Sequence, residues 1–313
     1  MNQAITPAPV APVAPAPAIN APSISSSAVL IDLSISTWTG RKLDKRASND
    51  ITTQNGADVG VASVSKKLLG NCAELDAVQK FAANARNSHY SMTMPWSDLG
   101  MRLCPTKKYI DANGYERTMT ELQTEFHRLV NVFLDAYSWE MQNAQLKLAG
   151  LFNPDEYPTR DALASKFKFR FVAIPLPDAG DWRLDIGNEA ASVLRSGYEK
   201  FYGDQLKTAM SDVWGRAHDA LSKMSERLDY ADDTTKKVFR DTLVSNVQEI
   251  VDLLDTMNIT ADPVMTEAHR RLDAAMQGIT PDALRADAYL RATTKRQVDE
   301  VKRIIDNLPG LGF

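Results

Sequence analysis

The sequence predicts an α+β fold that is mostly α: a small three-stranded antiparallel sheet packed on helices, with long antiparallel, coiled-coil-like helical arms. Three observations predict it. Apolar and polar residues alternate over 29–36 and again over 167–186, and a period of two marks a half-buried strand. Most of the remaining chain repeats its apolar residues at steps of three and four, the helical period. The stretch after Asn188 keeps that period for about 40 residues without a proline, longer than an ordinary globular helix.

The elements follow in order. Residues 1–27, MNQAITPAPVAPVAPAPAINAPSISSS, carry no charge, and prolines interrupt every apolar run. They predict a disordered, semi-stiff Pro/Ala-rich tail and lack the cationic start of a signal peptide. Val29, Ile31, Leu33 and Ile35 then alternate with Asp32, Ser34 and Ser36 as a first strand. Leu68, Leu69, Cys72, Leu75, Val78 and Phe81 predict a helix ending near Tyr90. Met119, Leu122, Phe126, Leu129, Phe133 and Tyr137 predict a longer one over 118–149, stopped by Gly150. In KFKFRFVAIPLPDAGDWRLDIG, two alternating runs flank a Pro-Asp-Ala-Gly-Asp turn, the pattern of a β-hairpin. A hairpin alone is marginal in water, so the strand at residue 29 is expected to complete the sheet.

Helices are then expected over 188–228 and from Asp232-Asp233-Thr234 onward. Asp262-Pro263 and Thr280-Pro281 each place a capping side chain before a proline at the first helical position. The last helix is expected to run to Asn307, ahead of Leu308-Pro309-Gly310. Three regions result: the tail (1–27), a sheet-plus-helix head (28–190), and a long helical arm with C-terminal helices (191–313).

Of 313 residues, 44% are hydrophobic and 24% charged, enough to bury one or two cores. The net charge of −4 argues against a general nucleic-acid coat, which needs a cationic excess. The two cysteines, Cys72 and Cys104, lack any CxxC spacing and read as small buried hydrophobes of a reducing compartment. No run approaches the roughly 20 apolar residues that span a bilayer. The expectation is a cytoplasmic protein with no membrane association.

Catalytic motifs are absent. AVLIDLSISTWTGRKLDKRAS has the outline of a phosphate loop, a strand running into a glycine and cations, but Gly40 lacks the second glycine and the hydroxyl after lysine. The run reads instead as a solvated turn opening a helix, with Arg41, Lys42, Lys45 and Arg46 as candidates to contact a partner's acidic surface. The four histidines are never paired at HxxxH, HExxH or ExxH spacing and are expected at surfaces or interfaces. No metal site, cofactor or catalytic residue is predicted. In AGDWRLDIG, Asp181 and Asp185 flank Arg183 on one strand face, an ordinary ion network. HYSMTMPWSDLGMRLCP, residues 89–105, is the most unusual loop. Its Trp96, Asp98 and Arg102 either plug the end of a core or form a binding surface. Lys168, Arg170 and Arg183 would make the polar sheet face basic.

WTGRKLDKRAS, HYSMTMPWSDLGMRL, LFNPDEYP and FKFRFVAIPLPDAGDWRLDIG, in this order over roughly residues 28–230, resemble an uncharacterised protein family of tailed bacteriophages and prophages. The resemblance carries no catalytic residues. It implies the cytoplasm of a bacterial host and a neighbourhood containing a MoxR-type AAA+ ATPase and a von Willebrand A-like protein. The first functional reading is therefore a non-enzymatic interaction or assembly protein, a homo-oligomer and an adaptor of that ATPase system. The alternative is a nucleic-acid-binding protein of phage replication or recombination. A third is an enzyme of unrecognised type, with a pocket near Trp96, Asp98 and Arg102.

Overall fold

Strand β1 (Ala28–Ser36) is central to a four-stranded sheet, and its alternation assigns each of its faces to a different core. Leu30 joins one core and Ile31 the other, and both are buried. A computed structural model describes residues 27–97, 100–176, 188–230 and 240–309. Within them, the mostly helical α+β class is as the periodicity predicts.

Past β1, the chain forms a two-stranded ribbon from β2 (Arg41–Asp44) and β3 (Val64–Lys67), with helix α1 (Lys45–Gln54) between them. Helix α2 (Ala73–Met92) follows. It starts five residues after Leu68, where its apolar period begins, because Gly70 takes a left-handed φ of 62° and breaks the helix there. Strands β4 (Met94–Pro95) and β5 (Arg102–Pro105) come next, then α3 (Thr106–Ile110) and the long α4 (Tyr115–Leu148). Thr159 accepts from the Ala162 N–H to cap α5 (Arg160–Ala164), which leads into β6 (Lys168–Pro175).

The sheet order is β4-β5-β1-β6, with every pairing antiparallel. It therefore has four strands among the described residues, where alternation predicts three. β4 and β5 come from the segment expected to be a loop; they are too short to show a period and each ends in proline, which suits a strand end. The expected outer strand of the hairpin, with Asp181, Arg183 and Asp185, lies outside the described residues, as does the tail at 1–26.

One sheet face packs on α2 and α4. Phe167, Phe169 and Phe171 lie against Phe126, Phe133 and Tyr115, with ring centroids 5.6–6.1 Å apart. The other face packs on helix α6 (Asn188–Leu228), and α7 (Thr242–Thr256), α8 (Pro263–Met276), the short α9 (Pro281–Ala286) and α10 (Ala288–Asp306) share that core. α6 has 41 residues, and the later helices gather beside it into one apolar core rather than standing free in solvent. The Pro-started helices are capped as expected, by Asp262 and Thr280. The expected single C-terminal helix is divided at Asp287, whose carboxylate accepts from the N–H groups of Tyr289 and Leu290 and starts α10. The Asp232-Asp233-Thr234 helix start lies outside the described residues.

Candidate functional site

The basic run is partly strand. Gly40, at φ 64°, turns the chain out of β1, and its carbonyl accepts from Leu68 N–H at 2.7 Å. This fixes the ribbon register: Arg41 lies opposite Lys67 and Lys42 opposite Lys66. Opposed residues of a pair share a face, so Arg41 and Lys67 project together. Asp44 then caps α1, accepting from Ala47 N–H at 3.0 Å; that bond, with the nearby Lys66 ammonium, holds its carboxyl below the usual range. Ser48 locks helix to ribbon, donating to the Asp44 carbonyl and accepting from Val64 N–H at 2.9 Å. The expected turn is thus a strand over Arg41–Asp44, and helical geometry starts only at Lys45.

The cations around this ribbon have two fates. Lys66 turns inward, pairing with Glu156 at 2.8 Å and Asp44 at 3.5 Å and donating to the Leu151 carbonyl, and the Glu156 bond raises its pKa. Arg41, Lys42, Lys45, Arg46 and Lys67 are exposed, and none forms an ion pair among the described residues. Lys67 reaches only Asn71, at 3.3 Å. Several arginines elsewhere on the surface are matched within their own helix, as Arg117 is to Glu121, Arg128 to Glu125 and Arg270 to Glu267, while others such as Arg296 and Arg303 are exposed without an ion pair among the described residues.

The aromatic loop residues are placed differently. Trp96 is 4% exposed and meets Tyr202 edge-on at 5.1 Å, plugging the core between sheet and α6. Its ring presents no surface to a partner. Arg102 caps the C-terminal end of α2. Its Nε donates to Thr93 Oγ1 at 2.7 Å, its terminal nitrogen to the Thr93 carbonyl at 2.9 Å, and its guanidinium lies over Tyr90 at 5.0 Å. Arg216 from α6 donates to the same carbonyl at 2.8 Å and to that of Ser91 at 3.2 Å, and pairs with Asp212. Two guanidiniums thus satisfy carbonyls that a helix end leaves open. Burial, together with the neighbouring Arg216 charge, lowers the Arg102 pKa. Arg102 also lines an open cleft of about 500 Å3 with Tyr90, Ser91, Asp212 and Arg216. Asp98 lies outside the described residues.

On the sheet, Arg170 pairs with Asp32 at 2.9 Å, and Lys168 is exposed beside it at the far end of β1. The histidines are not all at surfaces. His89 is buried, 2.8 Å from the Tyr115 hydroxyl, and burial holds its pKa down at about 4. Both cysteines are buried and free. Among the described residues one group brings ligand-type atoms of three side chains within 4.8 Å of one another, Cys72 with Glu74 and Glu140; no spacing rule signals it, because Glu140 lies far along the chain on α4.

No family model, curated protein or solved structure matches this chain.

Proposed function

We propose that this protein is a non-enzymatic interaction or assembly protein that grips an acidic surface of a protein partner with its basic ribbon. The observation that carries this reading is the set of five exposed cations on the braced ribbon and its helix α1 that have no acidic partner among the described residues, Arg41 and Lys67 directly opposed. Like charges held together destabilise the fold slightly, and an anionic partner relieves that. An adaptor role beside a MoxR-type AAA+ ATPase or a von Willebrand A-like protein is the specific form suggested by the family resemblance.

Self-association has its own support. Val132, Trp139 and Leu146 on α4 are 46%, 62% and 81% exposed and recur at seven-residue steps, an apolar stripe suited to a second helix. Light scattering is expected to find an oligomer that Trp139→Glu dissociates.

Nucleic acid is the competing ligand, because a two-stranded ribbon carrying cations also fits a major groove. The net charge of −4 counts against it. Purified wild-type protein and the Arg41→Glu/Lys42→Glu variant would be compared for binding to the purified ATPase and to labelled duplex DNA at low salt. Salt-sensitive ATPase binding that the variant loses supports the proposal. DNA retention that the variant loses, with no protein binding, replaces it with the nucleic-acid reading.

A further inference from the structure

The start of α2 carries side chains that the basic ribbon does not use. Cys72 fills its N-cap position, where Ser, Thr, Asp or Asn is preferred, and its thiol makes no cap hydrogen bond. It turns to Glu74 instead, Sγ to Oε2 3.5 Å. Glu140 of α4 completes the group, and one ligand atom from each of the three residues lies within 4.8 Å of the other two. Glu140 is only 5% exposed, and its Oε2 has no hydrogen-bond partner among the described residues. A buried carboxylate calls for a cation or strong donors. A weakly donating thiol and a second carboxylate supply neither.

We propose that Cys72, Glu74 and Glu140 bind a divalent transition-metal ion of the Zn2+ type, with a fourth position left to water. Thiolate ligation selects Zn2+ or Co2+ over Mg2+ and Ca2+, which demand oxygen. With Zn–S near 2.3 Å and Zn–O near 2.0 Å, a tetrahedral angle sets sulfur and oxygen about 3.5 Å apart. Cys72 and Glu74 already stand at that separation. Glu140 has at most about 1.5 Å to close from the 4.8 Å limit.

The chemistry is an exchange of a proton for a metal ion. A cysteine thiol must lose its proton to ligate a metal ion. Binding breaks S–H, forms the sulfur–metal bond and releases one proton to solvent, so affinity rises with pH. Cys72 also borders a cleft of about 50 Å3 with Gly40, Arg41, Asp76 and Gly70.

The full-length protein, stripped with EDTA, would be titrated with Co2+. One equivalent is expected to give a thiolate-to-Co2+ charge-transfer band, release one proton and yield to Zn2+. Cys72→Ser should abolish the band, and Glu140→Gln should weaken Co2+ binding about tenfold or more. Cys104→Ala should leave it intact, because Cys104 has no part in the cluster. In EDTA, Glu140→Gln should melt no lower than wild type, since it removes an unpartnered charge, and it should lose the Zn2+-induced rise in Tm. A wild-type protein without the band overturns the proposal, as does a band that survives Cys72→Ser. So does a Glu140→Gln variant that melts lower in EDTA yet binds Co2+ normally, because Glu140 would then serve the fold alone.

Discussion

Replacing Trp96 by Ala tests whether the aromatic loop belongs to the core. The indole is 4% exposed and sits among Leu30, Met94, Leu103 and the bundle residues Tyr202 and Leu206. Removing it forfeits the transfer of a large apolar ring from water and leaves a cavity that sheet and helix cannot both collapse into. Such truncations cost about 3–5 kcal/mol. Within that total, the edge-on contact with Tyr202, at 5.1 Å and 77°, should account for about 0.5–1.5 kcal/mol. A double-mutant cycle with Tyr202→Leu isolates this coupling. Urea unfolding followed by far-UV circular dichroism is the assay, because five tryptophans would blur a fluorescence signal. A loss below about 1 kcal/mol with unchanged m and no coupling would refute the core placement, since that is how an exposed ring behaves.

Three other outcomes are expected. His89 is held neutral, with its pKa down from 6.5 to about 4, so its contribution to stability is whole above pH 6.5 and is lost as pH falls through 4. His89→Gln should flatten that part of the stability–pH curve, a difference on the order of 1–3 kcal/mol in equilibrium unfolding. Gly40→Ala should destabilise by at least about 1–2 kcal/mol, because φ is 64° and the new Cβ would stand 2.8 Å from Leu75 Cδ2; an unchanged urea midpoint would count against this ribbon entry. Arg41→Thr removes a cation held opposite Lys67 and should raise Tm slightly in low salt, an advantage that fades at high salt; a lower Tm would mean that Arg41 has an internal partner.

Long periodic elements were legible in the sequence, and short or non-local ones were not. The helical period expected over 188–228 matches α6, and the Asp-Pro and Thr-Pro pairs locate two helix starts to the residue. The β-ribbon escaped because its strands have four residues each and its pairing spans the whole of α1. Strands β4 and β5 escaped for the same reason, being too short for a period to register. Charge type alone could not separate Arg102, which caps α2, from Arg41, which faces solvent. Glu140 is the sharpest case. On the sequence it is one of 40 acidic residues, and only the packing of α4 against the start of α2 brings it to Cys72.

The period of a strand also explains why neighbouring lysines behave so differently. Lys66 and Lys67 are adjacent on β3, so they project to opposite faces of the ribbon. On one face, Asp44 stands two residues from Lys42, and Glu156 arrives from the Asn153-Pro154 turn, so Lys66 is drawn in and neutralised. On the other face, Lys67 meets Arg41, and no acidic side chain pairs with either among the described residues. A slip of one residue in the β2–β3 register would exchange these faces and set Lys67 against Asp44 and Glu156. The Ser48 link to Val64 and the Leu68–Gly40 hydrogen bond prevent that slip. Keeping two unpaired cations opposed, when a small shift would pair one of them, is costly for folding alone. That makes the Arg41–Lys67 face the part of the ribbon where an external anion has most to offer.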